Sequence, residues 1–261
     1  MTWYSMLYDL SKCIGCHSCE VACQVNKGLL PDTRLISFRF VERGLYPDVT
    51  RVLRRHQCMH CFAPGCVSAC PVGALQKTAT GPVIYDSARC IGCRYCMNAC
   101  PYNVPTFDWD RGLLDQPLIH KCDFCADRLA DGLEPVCVET CPTQAVIFGE
   151  RDQLLAEASV RIQARPDRYV QHIYGETEGG GTSLLVISHL PFELLGLPSM
   201  DSIPVAAVSE AVMAGTIPFA VGWTAVLAGL AGIVRLRERR TKARAESSEP
   251  PALREQEEKN R

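Results

Sequence analysis

The sequence predicts an α+β chain in which two copies of one small cysteine-bearing unit are interleaved and followed by a single membrane-crossing helix. Three observations predict it. Sixteen of the 261 residues are cysteine, and they fall into four groups of four. The segment 6–23 recurs at 83–100 with nine of eighteen positions identical, the mark of an internal repeat. From Ala211 to Val234 there are 24 residues without a charge, preceded by Glu210 and followed by Arg235, Arg237, Arg239 and Arg240.

Composition excludes several classes. The chain is too long for a small disulfide-stapled scaffold. Its net charge of −2 is not that of a nucleic-acid binder, so no nucleic-acid partner is expected. The charge is uneven: residues 235–261 hold nine Lys/Arg and six Glu, whereas Tyr169 to Val234 contains neither Lys nor Arg.

The first cysteine group is Cys13, Cys16, Cys19 and Cys23 (C-x2-C-x2-C-x3-C). The second is Cys58, Cys61, Cys66 and Cys70 (C-x2-C-x4-C-x3-C-P). The third is Cys90, Cys93, Cys96 and Cys100 (C-x2-C-x2-C-x3-C-P). The fourth is Cys122, Cys125, Cys137 and Cys141 (C-x2-C-x11-C-x3-C-P). Three closely spaced thiolates wrap three corners of a cubane iron–sulfur cluster, and the fourth cysteine reaches a different cluster. Zinc would leave the third close cysteine surplus, and disulfides do not crowd thiols this way. Sixteen thiolates therefore predict four [4Fe–4S] clusters. Pro71, Pro101 and Pro142 follow the fourth cysteines, where a first helical position tolerates a missing N–H. The fourth cysteine is thus expected to lead into a helix; group one has Gln24 instead.

Residues 66–75 and 137–146 repeat as well, so the chain reads A, B, A′, B′. This is the layout of a bacterial two-cluster ferredoxin, used twice. Residues 54–105 suffice for one inserted module, and 1–53 with 106–150 would close the other. By the shared-fourth-cysteine rule, Cys13, Cys16, Cys19 and Cys141 hold one cluster, and Cys23, Cys122, Cys125 and Cys137 its neighbour. Cys58, Cys61, Cys66 and Cys100 hold the third, and Cys70, Cys90, Cys93 and Cys96 the fourth. Spacing alone leaves sequential pairing, group one with two and three with four, open.

The remaining elements follow in order. The alternating stretch 35–41 reads as a strand in the insertion 24–57. Leu75–Lys77 and Val83–Tyr85 form a hairpin turned at 79–81. Asp152–Ala164 carries Leu154, Leu155, Ala158 and Ile162 at helical spacing and stops at Pro166. With the Gly-rich stretch it makes an extension, 151–210. Glu178–Ser183 lacks the phosphate-loop pattern and reads as a flexible turn before a strand at Ser183–Ile187. His17, His56, His60 and His120 adjoin cluster cysteines, but thiolates already suffice, so they are placed beside the ligands or on the surface. Lys12, Lys121, Arg89 and Arg94 offset cluster charge or are simply solvated. No dinucleotide fingerprint, nucleophile elbow or acid/base pair occurs, so no catalytic residue is assigned.

The uncharged segment 211–234 spans about 36 Å as a helix, against a hydrocarbon core of about 30 Å. Ala211, Gly215, Pro218, Gly222, Ala225, Gly229 and Gly232 line one face, as helices that pack closely in lipid do. The basic residues after it place the tail, 235–261, in the cytoplasm and the cluster domain outside. That tail is expected to be disordered. Met1–Lys12 has neither the basic n-region nor the apolar h-region of a signal peptide, so export with a signal-bearing partner is expected, the alternatives being a further segment upstream or a cytoplasmic cluster domain with a tail anchor.

The stretches QCMHCFAPGCVSACPVGAL, CIGCRYCMNACPYNVP, KCDFCADRLADGLEPVCVETCPTQAVIFG and YGETEGGGTSLLVISHLPFELLGLP resemble the four-cluster electron-transfer subunits of membrane-bound respiratory complexes. The resemblance covers almost the whole chain and is strongest to HybA-type hydrogenase subunits and formate dehydrogenase beta subunits. It implies the nested cluster pairing, an anchor with the N-terminal side outside, and export alongside a partner. It also implies a large catalytic subunit, a hydrogenase or formate dehydrogenase, and an integral quinone-linked or cytochrome b membrane subunit docked on the Gly215/Gly222/Gly229 face. HybA-type subunits usually begin with a twin-arginine signal and this chain does not, which favours the formate dehydrogenase arrangement or a trimmed start; the wording of 56–105 is hydrogenase-like. The expected function is a non-catalytic electron relay in the cytoplasmic membrane. The alternative is the beta subunit of another molybdopterin oxidoreductase working in the reductase direction.

Overall fold

The computed structural model describes residues 3–108 and 119–248. The chain divides into two units, Met1–Ala207 and Val208–Arg261. In the first, strand β1 (Tyr4–Asp9) leads through a 3-10 turn to group one and helix α1 (Ser18–Lys27). The insertion that follows is a hairpin, β2 (Ser37–Arg43) and β3 (Thr50–His56), paired from Ser37↔His56 to Arg43↔Thr50. Helix α2 (Gly65–Ser68) lies within group two. The hairpin β4 (Leu75–Lys77) and β5 (Val83–Tyr85) follows, with Leu75 opposite Tyr85. Group three carries α3 (Tyr95–Asn98), then β6 (Thr106–Phe107) and β7 (Ile119–His120). Group four carries α4 (Ala126–Ala130) and α5 (Val136–Glu139), and β8 (Val146–Glu150), α6 (Arg151–Ala164) and β9 (Leu184–Ile187) complete the unit.

The main sheet has the order β8-β1-β9, with β8 antiparallel and β9 parallel to β1. Successive strand side chains point to opposite faces, and both faces of this sheet are covered. Leu7, Leu185 and Ile187 pack against Leu154, Ala158 and Ile162 of α6. Met6, Tyr8, Leu184 and Val186 face the opposite way, into the core that holds Cys23, Cys137 and Phe124. The sheet thus seats group one and group four on one floor, although about 100 residues separate them in the chain. The 77-residue repeat is also structural. Asp9 and Asp86 each accept the N–H two residues on, Ser11 at 3.0 Å and Ala88 at 2.9 Å. Each carboxylate thereby caps the 3-10 turn that delivers the first cysteine of its group.

The hairpin at 75–85, the helix over 151–164 and the strand at 184–187 stand as expected, and the strand of the insertion begins two residues later than the alternation suggested. Three expectations need correction. Pro71, Pro101 and Pro142 do not open helices: α2, α3 and α5 end at Ser68, Asn98 and Glu139, before the fourth cysteines. Proline sits just past each helix because it cannot continue it. The segment 178–183 is not a loose turn. Glu178, Gly179, Thr182 and Ser183 are buried, and the Glu178 carboxylate accepts the Gly175 N–H at 2.7 Å and pairs with His172. Gly175 has φ +94°, and a Cβ there would stand 2.4 Å from Thr182 Oγ1, so only glycine lets the strands close.

In the second unit, α7 runs Ala207–Ser248 with Pro218 inside it, and Ser209–Lys242 is long and apolar enough to cross a membrane. The basic stretch 235–248 is therefore helical and not disordered; Arg, Glu, Lys and Ala are strong helix formers. The remainder of the expected tail, 249–261, lies outside the described residues, as does 109–118 of the first module. Among the described residues nothing stands within 4 Å of a Cβ built on Gly215, Gly222 or Gly229.

Candidate iron–sulfur centres

Each cysteine loop is shaped by the same backbone device. In all four C-x2-C turns the residue before the second cysteine is left-handed: Gly15 at φ +65°, His60 at +50°, Gly92 at +69° and Phe124 at +66°. The conformation costs a non-glycine residue about 1–2 kcal/mol. At His60 and Phe124 the cost is offset by burial, their rings meeting edge to face with centroids 4.7 Å apart. A second device follows the fourth cysteine. Gly73, Asn103 and Gln144, each three residues beyond it, also have positive φ, which turns the chain back so that backbone N–H groups face the sulfur. Ala74 N donates to Cys70 Sγ at 3.2 Å.

These turns leave opposite marks on the thiols. Burial pushes Cys70 and Cys141 up, but the N–H groups of Leu75, Val72 and Ala74, and of Val146 and Ala145, outweigh it and hold both below the ordinary thiol value. Elsewhere burial dominates. It pushes Cys19 and Cys96 up to about 11 and Cys23 and Cys66 up to about 12. Cys23 has no proline after it: α1 continues to Lys27 and no such turn forms. A buried thiol of this kind becomes a thiolate only when a cation displaces its proton.

The cysteines meet in sets. The thiol of Cys19 lies in the fields of Cys137, Cys13 and Cys141. Cys23 senses Cys137 and Cys125. Cys61 senses Cys58, Cys66 and Cys100, and Cys96 senses Cys90, Cys93 and Cys70. Cys122 is close to Cys58 as well as to Cys137 and Cys23. Cys13, Cys16, Cys19 and Cys141 together line one small pocket, walled by Tyr8 and Phe38. Among the described residues no three His, Cys, Asp or Glu side chains converge as ligands of a single ion would. A cubane cluster is far larger than an ion, and its thiolates stand correspondingly wider apart. The donor set, all sulfur and in fours with N–H groups aimed at it, fits such a cluster.

Positive charge is concentrated at these sulfurs. Arg55 is wholly enclosed beside Cys137, Cys19 and Cys122; burial alone would push its guanidinium down, but those sulfurs outweigh it and hold it raised. Lys77 stands near Cys61, Cys58 and Cys66, and burial pushes it down to about 8. Lys121 is buried, its Nζ donating to Cys122 O at 2.7 Å and to Val83 O. His60 is buried too, Nδ1 accepting the Val83 N–H at 2.9 Å; burial and the two lysines hold it neutral. Of the basic residues picked from the sequence, only Lys121 is so placed. Arg89 is on the surface with Asp86, 3.2 Å away, Arg94 lies over the Phe107 ring, and Lys12 is exposed. His17 bonds Glu20 at 2.6 Å, and His120 lies 4.0 Å from Asp108.

Arg55 and Lys77 were missed from sequence because neither adjoins a cysteine. The available signal for Arg55 was two successive arginines in an alternating strand, one of which must face inward. The Gly-rich extension was missed as well: Phe62 N donates to Gly181 O at 3.0 Å and Leu184 N to Met59 O at 3.1 Å, so β9 braces the group-two loop.

Lys27 ties group one to group four, donating to Asp123 and Asp127, both at 2.7 Å. Its side chain is only 15% exposed. Lys27→Met is expected to lower the chain's thermal stability by about 1–2 kcal/mol, the worth of charged hydrogen bonds discounted for the exposed partner. Calorimetry of the cluster-loaded chain reads it.

Residues 49–151 and residues 12–74 each match a 4Fe-4S dicluster domain. A protein of Nitratidesulfovibrio vulgaris is 40% identical over 253 residues, covering 90% of this chain and 68% of that protein. The hydrogenase-2 operon protein HybA of Escherichia coli O157:H7 is 38% identical over 276 residues, covering 88% of this chain and 83% of HybA. The nitrate-inducible formate dehydrogenase iron–sulfur subunit of Escherichia coli K12 is 35% identical over 202 residues, covering 70% and 67%. The chain, with its sixteen cysteines, belongs to the 4Fe-4S dicluster family that includes HybA and the formate dehydrogenase iron–sulfur subunit.

Proposed function

We propose that the chain is a non-catalytic electron relay with four [4Fe–4S] clusters, working between a hydrogenase or formate dehydrogenase catalytic subunit and a quinone-linked membrane subunit. One observation carries the reading: thiols from different loops lie in one another's fields, Cys61 with Cys58, Cys66 and Cys100, Cys96 with Cys90, Cys93 and Cys70, and Cys122 with Cys58. Cys13, Cys16, Cys19 and Cys141 hold one cluster, and Cys23, Cys122, Cys125 and Cys137 the next. Cys58, Cys61, Cys66 and Cys100 hold the third, and Cys70, Cys90, Cys93 and Cys96 the fourth. The inserted module, 54–105, is thus nested inside a module formed by 1–53 and 106–150. Each bound cluster supplies one-electron chemistry. The protein's residues exclude water from the inner sulfurs, aim N–H groups at them and offset their charge with Arg55, Lys77 and Lys121. These are the means by which a fold sets a cluster's potential. Helix α7 anchors the chain in the cytoplasmic membrane with the cluster unit outside and the basic end inside, and its Gly215/Gly222/Gly229 face docks on the membrane subunit.

The test is iron and sulfide analysis with electron paramagnetic resonance (EPR) of the reduced chain. About sixteen irons and four reducible signals are expected. Fewer than about twelve irons, or clusters that do not reduce, would overturn it. A catalytic partner other than a hydrogenase or formate dehydrogenase in mild-detergent copurification would favour the reductase alternative.

A further inference from the structure

Arg55 is the most anomalous charge in the cluster unit. It sits on β3, buried, and its Nε, Nη1 and Nη2 are all shut off from solvent, with the Cys137 sulfur the one partner in reach among the described residues. Among the described residues no carboxylate pairs with it; the groups around it are the sulfurs of Cys137, Cys19 and Cys122. It also lines the cavity shared by Cys13, Cys16, Cys19 and Cys141. A buried guanidinium met by nothing but thiol sulfur is among the costliest states a side chain can adopt. It persists only where something anionic completes it.

We propose that Arg55 is a potential-setting residue shared by two clusters, its N–H groups donating to the thiolates of Cys19 and Cys137 and holding both clusters at more positive potentials. The inference rests on the ligand sets proposed above, in which Cys19 and Cys137 belong to neighbouring clusters. A cluster with four thiolate ligands is anionic, and it gains one negative charge on reduction. A fixed positive charge with donors aimed at its sulfur therefore stabilises the reduced form more than the oxidised one. Standing between two clusters, Arg55 also lowers the repulsion that opposes reducing the second after the first. Arginine suits this post better than lysine, because its planar fork presents donors in two directions at once. The inserted module uses a different device, the two lysines Lys77 and Lys121 beside the group-two sulfurs. The two halves of the relay are thus tuned by separate residues.

The test is an EPR-monitored redox titration of the full chain in detergent, with iron content measured on the same samples. The signals are assigned by those missing from Cys16→Ser and Cys137→Ser. In Arg55→Gln two of the four midpoint potentials are expected to move to more negative values while iron content stays the same. Arg55→Lys shows a smaller move, and Arg39→Gln, an exposed change on the same hairpin, shows none. Unchanged midpoints at full iron content would overturn the proposal. So would an equal shift of all four, which would report general loosening, or loss of iron from both Arg55 variants, which would make the residue one of assembly. If two signals shift but are not those missing from Cys16→Ser and Cys137→Ser, the ligand sets fail while the tuning role stands.

Discussion

Cys16→Ser and Cys141→Ser are each expected to remove one [4Fe–4S] signal of four, and the double variant is expected to remove no more than either alone. Residues acting in one unit are non-additive, whereas independent sites add. Under nesting, Cys16 and Cys141 serve one cluster although 125 positions separate them. A cluster short of one thiolate is lost or trimmed, and the second substitution then has nothing further to damage. Cys141→Ser combined with Cys61→Ser should instead remove two signals. Sequential pairing predicts the reverse for the first pair: Cys16 and Cys141 would then serve different clusters, and the double variant would lose two. Counting EPR spins per chain separates the two outcomes. The cavity that Cys141 shares with Cys13, Cys16 and Cys19 supports the nested result.

A chain ending at Ala207 should move from the membrane fraction to the aqueous fraction with its iron content intact. The first unit closes on itself, with its own sheet and cores. The window within Ser209–Lys242 is fully exposed, with Ile217, Phe219, Val221 and Leu230 among its bare apolar side chains. Such a helix is soluble only in lipid or detergent. Retention of the shortened chain in washed membranes would show that the cluster unit itself holds it there. A tag after Arg261 should be cut by protease only in inside-out vesicles, as the basic residues 235–244 require. Gly222→Leu with Gly229→Leu should leave insertion unchanged while reducing copurification of the membrane partner, since bulk on this face blocks close helix contact.

The sequence by itself determined the number and type of ligands, the repeat and the apolar helix. These are local properties. A C-x2-C turn needs one left-handed residue, and the Gly15 and Gly92 positions announce it within four residues. The hairpin at 75–85 and the helix at 151–164 were legible for the same reason, being specified by spacing and turn chemistry over short stretches. Even so, local reading misplaced Pro71, Pro101 and Pro142, because a proline marks a helix boundary without saying which side the helix lies on. It also read Glu178–Ser183 as loose, because the partners that bury it, Met59 to Phe62, are more than 100 positions away.

Tertiary structure alone decided which loops face one another and which charges are enclosed. Group one meets group four because Tyr4 pairs with Glu150 and Tyr8 with Val146 across the central sheet, a register that no local pattern encodes. Arg55 is enclosed and Arg39 exposed on the same hairpin because the core closes over one and not the other. A burial of that kind is set by the whole packing, since the cost of desolvating a guanidinium depends on every group around it and not on its neighbours in sequence.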